Sequence, residues 1–309
     1  MTLQQLYYVI TISETGSLSK AAEMLYVAQP SLSNAVQELE KEIGITLFYR
    51  SGRGMTVTND GLEFISYARQ VYYQYETLLE KYGKAEKHKK KFGISTQHYS
   101  FAVKSFVELV KQFSISEYEF AIRETRTREV IDDVHTARSE LGIIYLSDFN
   151  RKIITNLLKT HDLEFHRLIY CDAYVYIWKG HPLAACKSIK FEQLADYPCL
   201  SFEQGSEGSF YFAEELLSAE LYSRTIKTND RATNLNLMVG LNAYTLCSGI
   251  ICEELNGTDY VAIPLETSDE TSCGQMEIGY IKKKNLTLSK MATLYIEEMK
   301  RYLASTATK

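Results

Sequence analysis

Apolar residues at the start of the chain recur with the period of a helix. Leu3, Leu6, Tyr7 and Ile10 stand at i, i+3, i+4 and i+7, which puts them on one face. Gly16 ends this helix, and Ser17 is placed to cap a second one whose apolar positions are Leu18, Ala21, Ala22 and Leu25. A short turn, Tyr26-Val27-Ala28, leads to Pro30, which suits a first helical turn because the N–H it lacks would have had no partner there. In the third helix Leu32, Val36, Leu39 and Ile43 fall within a narrow arc, while Pro30, Asn34, Gln37 and Lys41 point the other way and make a polar outer face. Gly44 stops it. Thr46 to Arg50 and Met55 to Thr58 then read as two short strands around a tip, Ser51-Gly52-Arg53-Gly54. Three helices and a hairpin make a winged helix-turn-helix.

From Asn59 to about Lys87 the steps alternate between three and four through Leu62, Ile65, Ala68, Tyr72, Tyr75, Leu79 and Tyr82. This seam predicts a dimerising helix, about 40 Å long at 1.5 Å per residue; the alternative is a helix packed on its own domain. Lys81, Lys84, Lys87, Lys89, Lys90 and Lys91 mark the exit from it and a linker. Beyond the linker, apolar runs of strand length (Phe92 to Thr96, Tyr118 to Ile122, Leu141 to Leu146, Ala173 to Trp178) alternate with helical patterns at Phe101 to Phe113 and Glu129 to Arg138. A second set follows, with helices near Gly208 to Ser218 and Ala232 to Gly240 and strands near Ser223 to Thr228 and Tyr244 to Cys247. The last helix, Ser289 to Tyr302, carries Met291, Leu294, Tyr295, Glu298 and Tyr302 along one side. The pattern predicts parallel sheets in two sub-domains of similar build.

A chain of 309 residues has room for two or three cores. The opening segment lacks a basic leader, and no stretch of about 18 consecutive apolar residues occurs, so a soluble cytoplasmic protein without membrane contact is expected. Six cysteines (Cys171, Cys186, Cys199, Cys247, Cys252, Cys273) contain no C-x-x-C pair, and six histidines (His88, His98, His135, His161, His166, His181) are dispersed. Reduced thiols and neither metal nor cofactor follow. The net charge of −5 argues against gripping nucleic acid by bulk charge, so DNA binding must rest on a local surface.

The stretch GSLSKAAEMLYVAQPSLSNAVQELEKEIGITLFYRSGRGMTVTNDG resembles the helix-turn-helix of LysR-type transcriptional regulators. The resemblance runs from Ala21-Ala22 through Gln29-Pro30-Ser31-Leu32-Ser33 to Leu47-Phe48, the wing arginines Arg50 and Arg53, and the T-x-x-G of Thr58 to Gly61. It is strongest over residues 1 to about 65; the remainder agrees in length and alternation. Two positions depart from the family pattern: Ala28 stands where a serine or threonine cap is common, and Asn34 where a basic residue is frequent.

The resemblance implies an α/β multi-domain chain. Its parts would be a winged helix-turn-helix over 1–58, a linker or dimerisation helix over 59–90, and an effector domain over 91–309 like a type 2 periplasmic binding protein. Sub-domain I would take about 91–161 and 266–309, and sub-domain II about 162–265. It further implies a homodimer or homotetramer acting on promoter DNA, a small-molecule effector, and RNA polymerase as a partner. The third helix would lie in the major groove and the wing near the minor groove.

Base edges are read by hydrogen-bonding side chains and phosphates are held by smaller donors and cations. Gln29, Pro30, Ser31, Ser33, Asn34 and Gln37 are therefore the candidate DNA-contacting residues of the third helix, with Arg50 and Arg53 on the wing. Up to Asp60 four basic residues (Lys20, Lys41, Arg50, Arg53) face six acidic ones (Glu14, Glu23, Glu38, Glu40, Glu42, Asp60), so a pair of such heads is needed for grip. In α/β sheets ligands sit beyond the carboxyl ends of strands, close to helix N-termini that favour anions. Ser95, Thr96, Gln97, His98, Thr125, Thr127, Ser201 and Thr228 occupy such places and predict a cleft for an anionic or zwitterionic effector. The Ser95-Thr96-Gln97 run is similar to that in regulators of cysteine biosynthesis, which points to a sulfur or amino-acid metabolite.

An enzyme or a solute-binding α/β protein is the rival reading. No G-x-S-x-G, P-loop, dinucleotide fingerprint or paired metal-ligand motif supports the first, and so no catalytic residue is expected. A solute-binding protein would need export and would carry no helix-turn-helix.

Overall fold

A computed structural model describes residues 1–51, 54–82, 90–112, 118–205, 210–215, 223–266 and 275–306. The chain divides into two compact units, the first being essentially residues 1–88 and the second residues 89–309, apart from a few residues near 135–138.

In the first unit α1 (Leu3–Thr15) begins at Thr2, whose hydroxyl accepts from the Gln5 amide while the Gln5 side chain reaches back. It ends at Gly16, with φ at 63°. Ser17 caps α2 (Leu18–Met24), and α3 (Gln29–Ile43) carries Pro30 in its first turn and Gly44 at its end. The wing is the antiparallel pair β1 (Phe48–Ser51) and β2 (Gly54–Val57), with Phe48 opposite Val57. One core holds these pieces, with Leu6, Val9 and Ile12 of α1, Ala21 of α2, Leu32, Val36 and Leu39 of α3, and Leu47 at its centre.

Hydrogen bonds fasten the wing to α3. The Glu40 carboxylate accepts from the amides of Leu47 (2.7 Å) and Phe48 (3.2 Å). The Thr58 hydroxyl donates to the Thr46 carbonyl at 2.6 Å and accepts from the Gly61 amide at 2.8 Å, so it also caps α4 (Asn59–Tyr82). The T-x-x-G motif thus has a local cause. A Cβ on Gly61 would lie 2.3 Å from the Leu47 carbonyl oxygen and 2.9 Å from the Thr58 hydroxyl.

Along α4 the predicted seam divides. Ile65 and Ala68 are buried in the core of this unit, and Tyr72 stacks on Tyr7 of α1 with ring centres 4.8 Å apart. That part of the seam is a wall of its own domain, packed in the same core as α1. Leu62 and Leu79 of the predicted seam are exposed, and so are Tyr67, Val71 and Leu78, which are spaced to share one side of the helix. Tyr82 and most of the lysine run lie outside the residues whose side chains are described.

In the second unit β3 (Lys90–Thr96), α5 (Ser100–Lys111), β4 (Tyr118–Glu124), α6 (Thr127–His135), β5 (Leu141–Leu146), α7 (Arg151–Thr160) and β6 (Leu163–Asp172) come first. β7 (Tyr174–Trp178), β8 (Ile189–Lys190), β9 (Cys199–Phe202), β10 (Thr225–Thr228), α8 (Arg231–Leu241), β11 (Thr245–Cys247) and α9 (Glu253–Asn256) follow. β12 (Tyr260–Glu266), β13 (Gln275–Lys283) and α10 (Lys290–Thr306) complete it.

A five-stranded sheet runs β4-β3-β5-β13-β6 and a four-stranded one β11-β7-β12-β8, with β9 and β10 paired beside them. The sheets are mixed, not parallel throughout as expected. β3 lies parallel to β4 and β5, but β13 runs antiparallel to both β5 and β6, and β7 antiparallel to β11 and β12. The chain passes twice between the sheets and returns along β13, which reverses direction there. β6, placed by sequence in sub-domain II, belongs to the first sheet, so the crossover falls after Asp172. Of the helix expected near Gly208 to Ser218, the described part is a single 3-10 turn at Phe210–Phe212.

No helix among the described residues is long and apolar enough to cross a membrane. Replacing Gly61 by alanine is expected to destabilise the first unit by about 1–3 kcal/mol, since the overpacked neighbour is backbone and cannot rotate away. Urea unfolding followed by circular dichroism checks this, and an unchanged midpoint would contradict the close approach.

Candidate functional site

The outer face of α3 is built as its periodicity predicts. Leu32, Val36 and Leu39 are buried, while Gln29, Pro30, Ser31, Asn34 and Gln37 are exposed and Ser33 is half-buried. Ala28 is the residue before the helix, with φ −68° and ψ 133°, and offers no side-chain bond to the first-turn amides. Gln29 accepts a weak bond from Ser19 at 3.4 Å. Arg50 lies on β1 opposite Met55, its side chain outside the described residues, as is Arg53 altogether. Tyr26, which sequence reasoning passed over, is 96% exposed at the turn before α3 with φ at 53°.

In the second unit the expected effector residues have mostly found partners inside the protein. The Ser95 hydroxyl bonds Asp133 at 2.5 Å and Ser139 at 2.8 Å, tying β3 to the segment of α6. Thr96 donates to the Gln97 carbonyl at 2.8 Å. Both ends of the Gln97 amide are engaged: Nε2 donates to Thr127 at 2.5 Å, while Oε1 accepts from the Tyr145 amide and the Tyr99 hydroxyl, both at 3.0 Å. The Thr127 hydroxyl donates to the Phe212 carbonyl at 2.7 Å, and Thr125 bonds Glu129. Ser201 is half-buried on β9, and Thr228, opposite Phe202 on β10, accepts from Asn234 at 3.4 Å.

The interlobe region is instead occupied by a segment that carries two glutamates. The Thr127 amide, at the start of α6, donates to Gln204, and Gln204 donates to Glu214 at 3.0 Å. Glu214 also accepts from the amide of His98 at 2.9 Å and lies 2.8 Å from its ring Nδ1; that ring lies flat on Phe202, 3.7 Å between centres. Glu215 accepts from the Phe202 amide at 2.7 Å through one oxygen. Burial, and then the charge of Glu214, push the Glu215 carboxyl up to about 8.

Next to these carboxylates is a cavity of about 660 Å³, counting the part open to solvent. Its polar lining comes from His98, Glu214, Glu215, Arg231 and Asn234, and its apolar lining includes Tyr176, Phe202, Leu235, Met238, Ile250 and Ile251. Both sheets contribute, through the residues after β3 and through β7, α8 and β13. Of the eight residues expected to hold an effector, His98 is the one that lines it. The rest came to light only through burial, because an adjacent Glu-Glu pair in sequence reads as a solvated surface.

The comparisons agree with this architecture. The model of the bacterial regulatory helix-turn-helix of the lysR family matches residues 3–62, and that of the LysR substrate binding domain matches residues 99–304. The chain belongs to the LysR family. The family consists of transcriptional regulators and not enzymes. Among relatives, the uncharacterized regulator YvbU of Bacillus subtilis is 28% identical over 214 residues, covering 68% of this chain and 69% of that protein. YcgK of the same organism is 32% identical over 166 residues, 51% of this chain and 50% of that protein.

Among solved structures, full-length OxyR C199D from Pseudomonas aeruginosa superposes with a TM-score of 0.70 at 18% identity, over 97% of this chain and 94% of that one. Full-length CbnR in complex with its target DNA gives 0.56 at 18% identity, over 98% and 100%. These two likenesses establish the shared fold of a LysR regulator: helix-turn-helix, linker helix and two-lobed α/β effector domain. In this LysR chain Cys171, Cys199 and Cys247 are pushed up to about 12 by burial, which leaves them as protonated, unreactive thiols. No cluster of metal-ligating side chains occurs among the described residues.

Two expected outcomes follow from these sites. Ala28→Ser supplies the missing cap in a backbone already extended, and should stabilise the first unit by roughly 0.5–2 kcal/mol in chemical denaturation; no gain would mean the α3 amides are already satisfied. Unfolded Glu215 titrates near 4.5, so between about pH 4.5 and about pH 8 the unfolded chain gives up a proton that the folded chain keeps, and stability falls as pH rises through that window. Glu215→Gln keeps the bond from Phe202 and has no proton to lose. Its stabilising effect should therefore be larger in unfolding at about pH 8 than at about pH 5; an equal effect at both would place Glu215 in water.

Proposed function

We propose that this LysR regulator acts in the cytoplasm by reading promoter DNA with the outer face of α3, and that a small molecule held in the interlobe cavity governs the outcome. The observation that carries the DNA reading is the exposed row Gln29, Ser31, Asn34 and Gln37 on a helix that buries Leu32, Val36 and Leu39 on its other side. Asn34 and Gln37 present the paired donor and acceptor that match an adenine edge, and Ser31 and Ser33 suit phosphate. CbnR, which shares the fold, is known in complex with its target DNA. Arg50 and Arg53 complete the interface from the wing in this reading.

Residues 1–58 then form the DNA-binding head, 59–90 the linker helix, and 91–309 the sensor. A second copy of the chain is the partner that fits Tyr67, Val71 and Leu78, an apolar row left open on α4. Pairing also supplies two heads for one operator, offsetting the acidic balance of each. Contact with RNA polymerase is the step through which the bound dimer or tetramer would act on transcription. For the effector, the support moves away from Ser95, Thr96, Gln97 and Thr127, which bond one another, to the cavity. Of the sulfur and amino-acid metabolites implied by resemblance, the amino-acid class suits its mixture of donors and acceptors.

A gel shift on DNA upstream of the protein's own gene tests the reading. Asn34→Ala and Gln37→Ala should each weaken specific binding by about 1–3 kcal/mol, roughly five- to 150-fold, with the wild-type affinity falling steeply as salt rises. Binding that is indifferent to both substitutions would remove α3 from the interface.

A further inference from the structure

Residues 210–215 lie in the chain between β9 and β10, the pair beside the four-stranded sheet, yet they fasten to the lobe of the five-stranded sheet. Tyr211 stacks on Phe149 with ring centres 4.7 Å apart, and Phe212 packs against the cluster that contains Val130, Ile131 and Ile154. The Phe212 carbonyl accepts from the Thr127 hydroxyl at 2.7 Å, and the Ala213 carbonyl from the Tyr145 hydroxyl at 3.0 Å. The segment is a strap from one lobe laid across the other, and Glu214 is the side chain it delivers.

Glu214 is held as a bound carboxylate would be. It is 7% exposed, and the main-chain amide of His98 donates to its Oε2 at 2.9 Å. Nδ1 of the His98 ring lies 2.8 Å from the same oxygen, and the Gln204 side chain donates to the other at 3.0 Å. His98 follows β3, and Gln204 accepts in turn from the Thr127 amide at 3.1 Å, at the start of α6. These groups gather just beyond the carboxyl end of a parallel strand, where α/β folds receive ligands, and they converge on both oxygens of one carboxyl group. His98 and Glu214 also line the cavity, so the place borders directly on it.

We propose that Glu214 is a resident ligand: a tethered carboxylate that occupies an anion-binding place between the lobes and competes there with any free carboxylate. A short tether holds such a group at an effective concentration on the order of millimolar or above, so a free anion must displace a partner that cannot diffuse away. The anion that the sequence led us to expect at these strand ends is then part of the chain itself. This holds whatever fills the rest of the cavity, and so goes beyond the effector reading above.

Glu214→Ala removes a carboxymethyl group, the skeleton of acetate, and leaves the donors around a vacated space. Urea unfolding of the effector domain, followed through Trp178, the chain's one tryptophan, is measured in sodium acetate, in acetamide and in sodium chloride at matched ionic strength. Glu214→Ala should unfold at lower urea than the wild type, and acetate alone should raise its midpoint, as a ligand of the folded state does. Its apparent affinity for acetate should exceed that of the wild type at least about tenfold, because the tethered competitor is gone. Glu214→Gln keeps the bulk of the side chain, so acetate should leave its midpoint where it is. The proposal is overturned if acetate stabilises Glu214→Ala no more than chloride and acetamide do, or if it stabilises the wild type and Glu214→Gln equally. Should Glu214→Ala not fold unaided, the yield of refolding is read in the same solutions: recovery in acetate alone upholds the resident carboxylate, and equal recovery in all of them, or in none, overturns it.

Discussion

A hydrogen-bonding group removed from water has to find its partner within the chain, and in the effector domain that constraint decides which polar residues can serve a ligand. The Gln97 amide is the clearest case. It stands at the carboxyl end of β3, where a ligand would be expected, but both of its ends are used to join β3, β5 and α6. A side chain so committed cannot turn to an effector without breaking the contacts that hold the strand ends in place. Ser95, bound to Asp133 and Ser139, is under the same restriction. Three of the residues that keep an unpartnered polar atom among the described ones, Glu215, Arg231 and Asn234, also line the cavity.

The same constraint shapes the DNA-binding head. The amides of Leu47 and Phe48 would be stranded where the chain leaves α3 for the wing, and the Glu40 carboxylate takes both. The Leu47 carbonyl accepts from the Thr58 amide at 3.0 Å, and Gly61 lets the start of α4 come close enough to preserve that bond. The turn from helix to wing is thereby closed from within, and Glu40, one of the acids that lower the charge of this domain, is withdrawn from the surface that would face a phosphate backbone. The outer residues of α3 can then be chosen for what they touch outside the protein.

Helix positions, the wing and the motif around Gln29 and Gly61 were legible because each depends on neighbours in sequence: apolar spacing, a proline in the first turn, glycines at helix ends. β6, β12 and β13 were not, because their pairing joins residues far apart in the chain and their apolar content is diluted by charge, as in Glu164, His166 and Arg167. The α4 seam shows a subtler limit. Periodicity locates an apolar face but not what covers it, and the intradomain wall at Ile65 and Ala68 has the same spacing as a dimer seam. Hydroxyls at strand ends were legible as donors, but not their internal partners, since donor count along a sequence says nothing of which donors bond within the chain.

The sign of the charge in the cavity follows from a competition that only the folded chain displays. Helix starts attract anions, and that general tendency favours a carboxylate or phosphate effector. An attraction of this kind is satisfied equally by a side chain of the protein, and here it is: Asp230 at α8 and the Gln204 to Glu214 relay at α6 fill those places with groups that never dissociate. Burial first, and the charge of Glu214 second, push the Glu215 carboxyl up to about 8, so at neutral pH it keeps its proton and stands beside these helix starts as a neutral group.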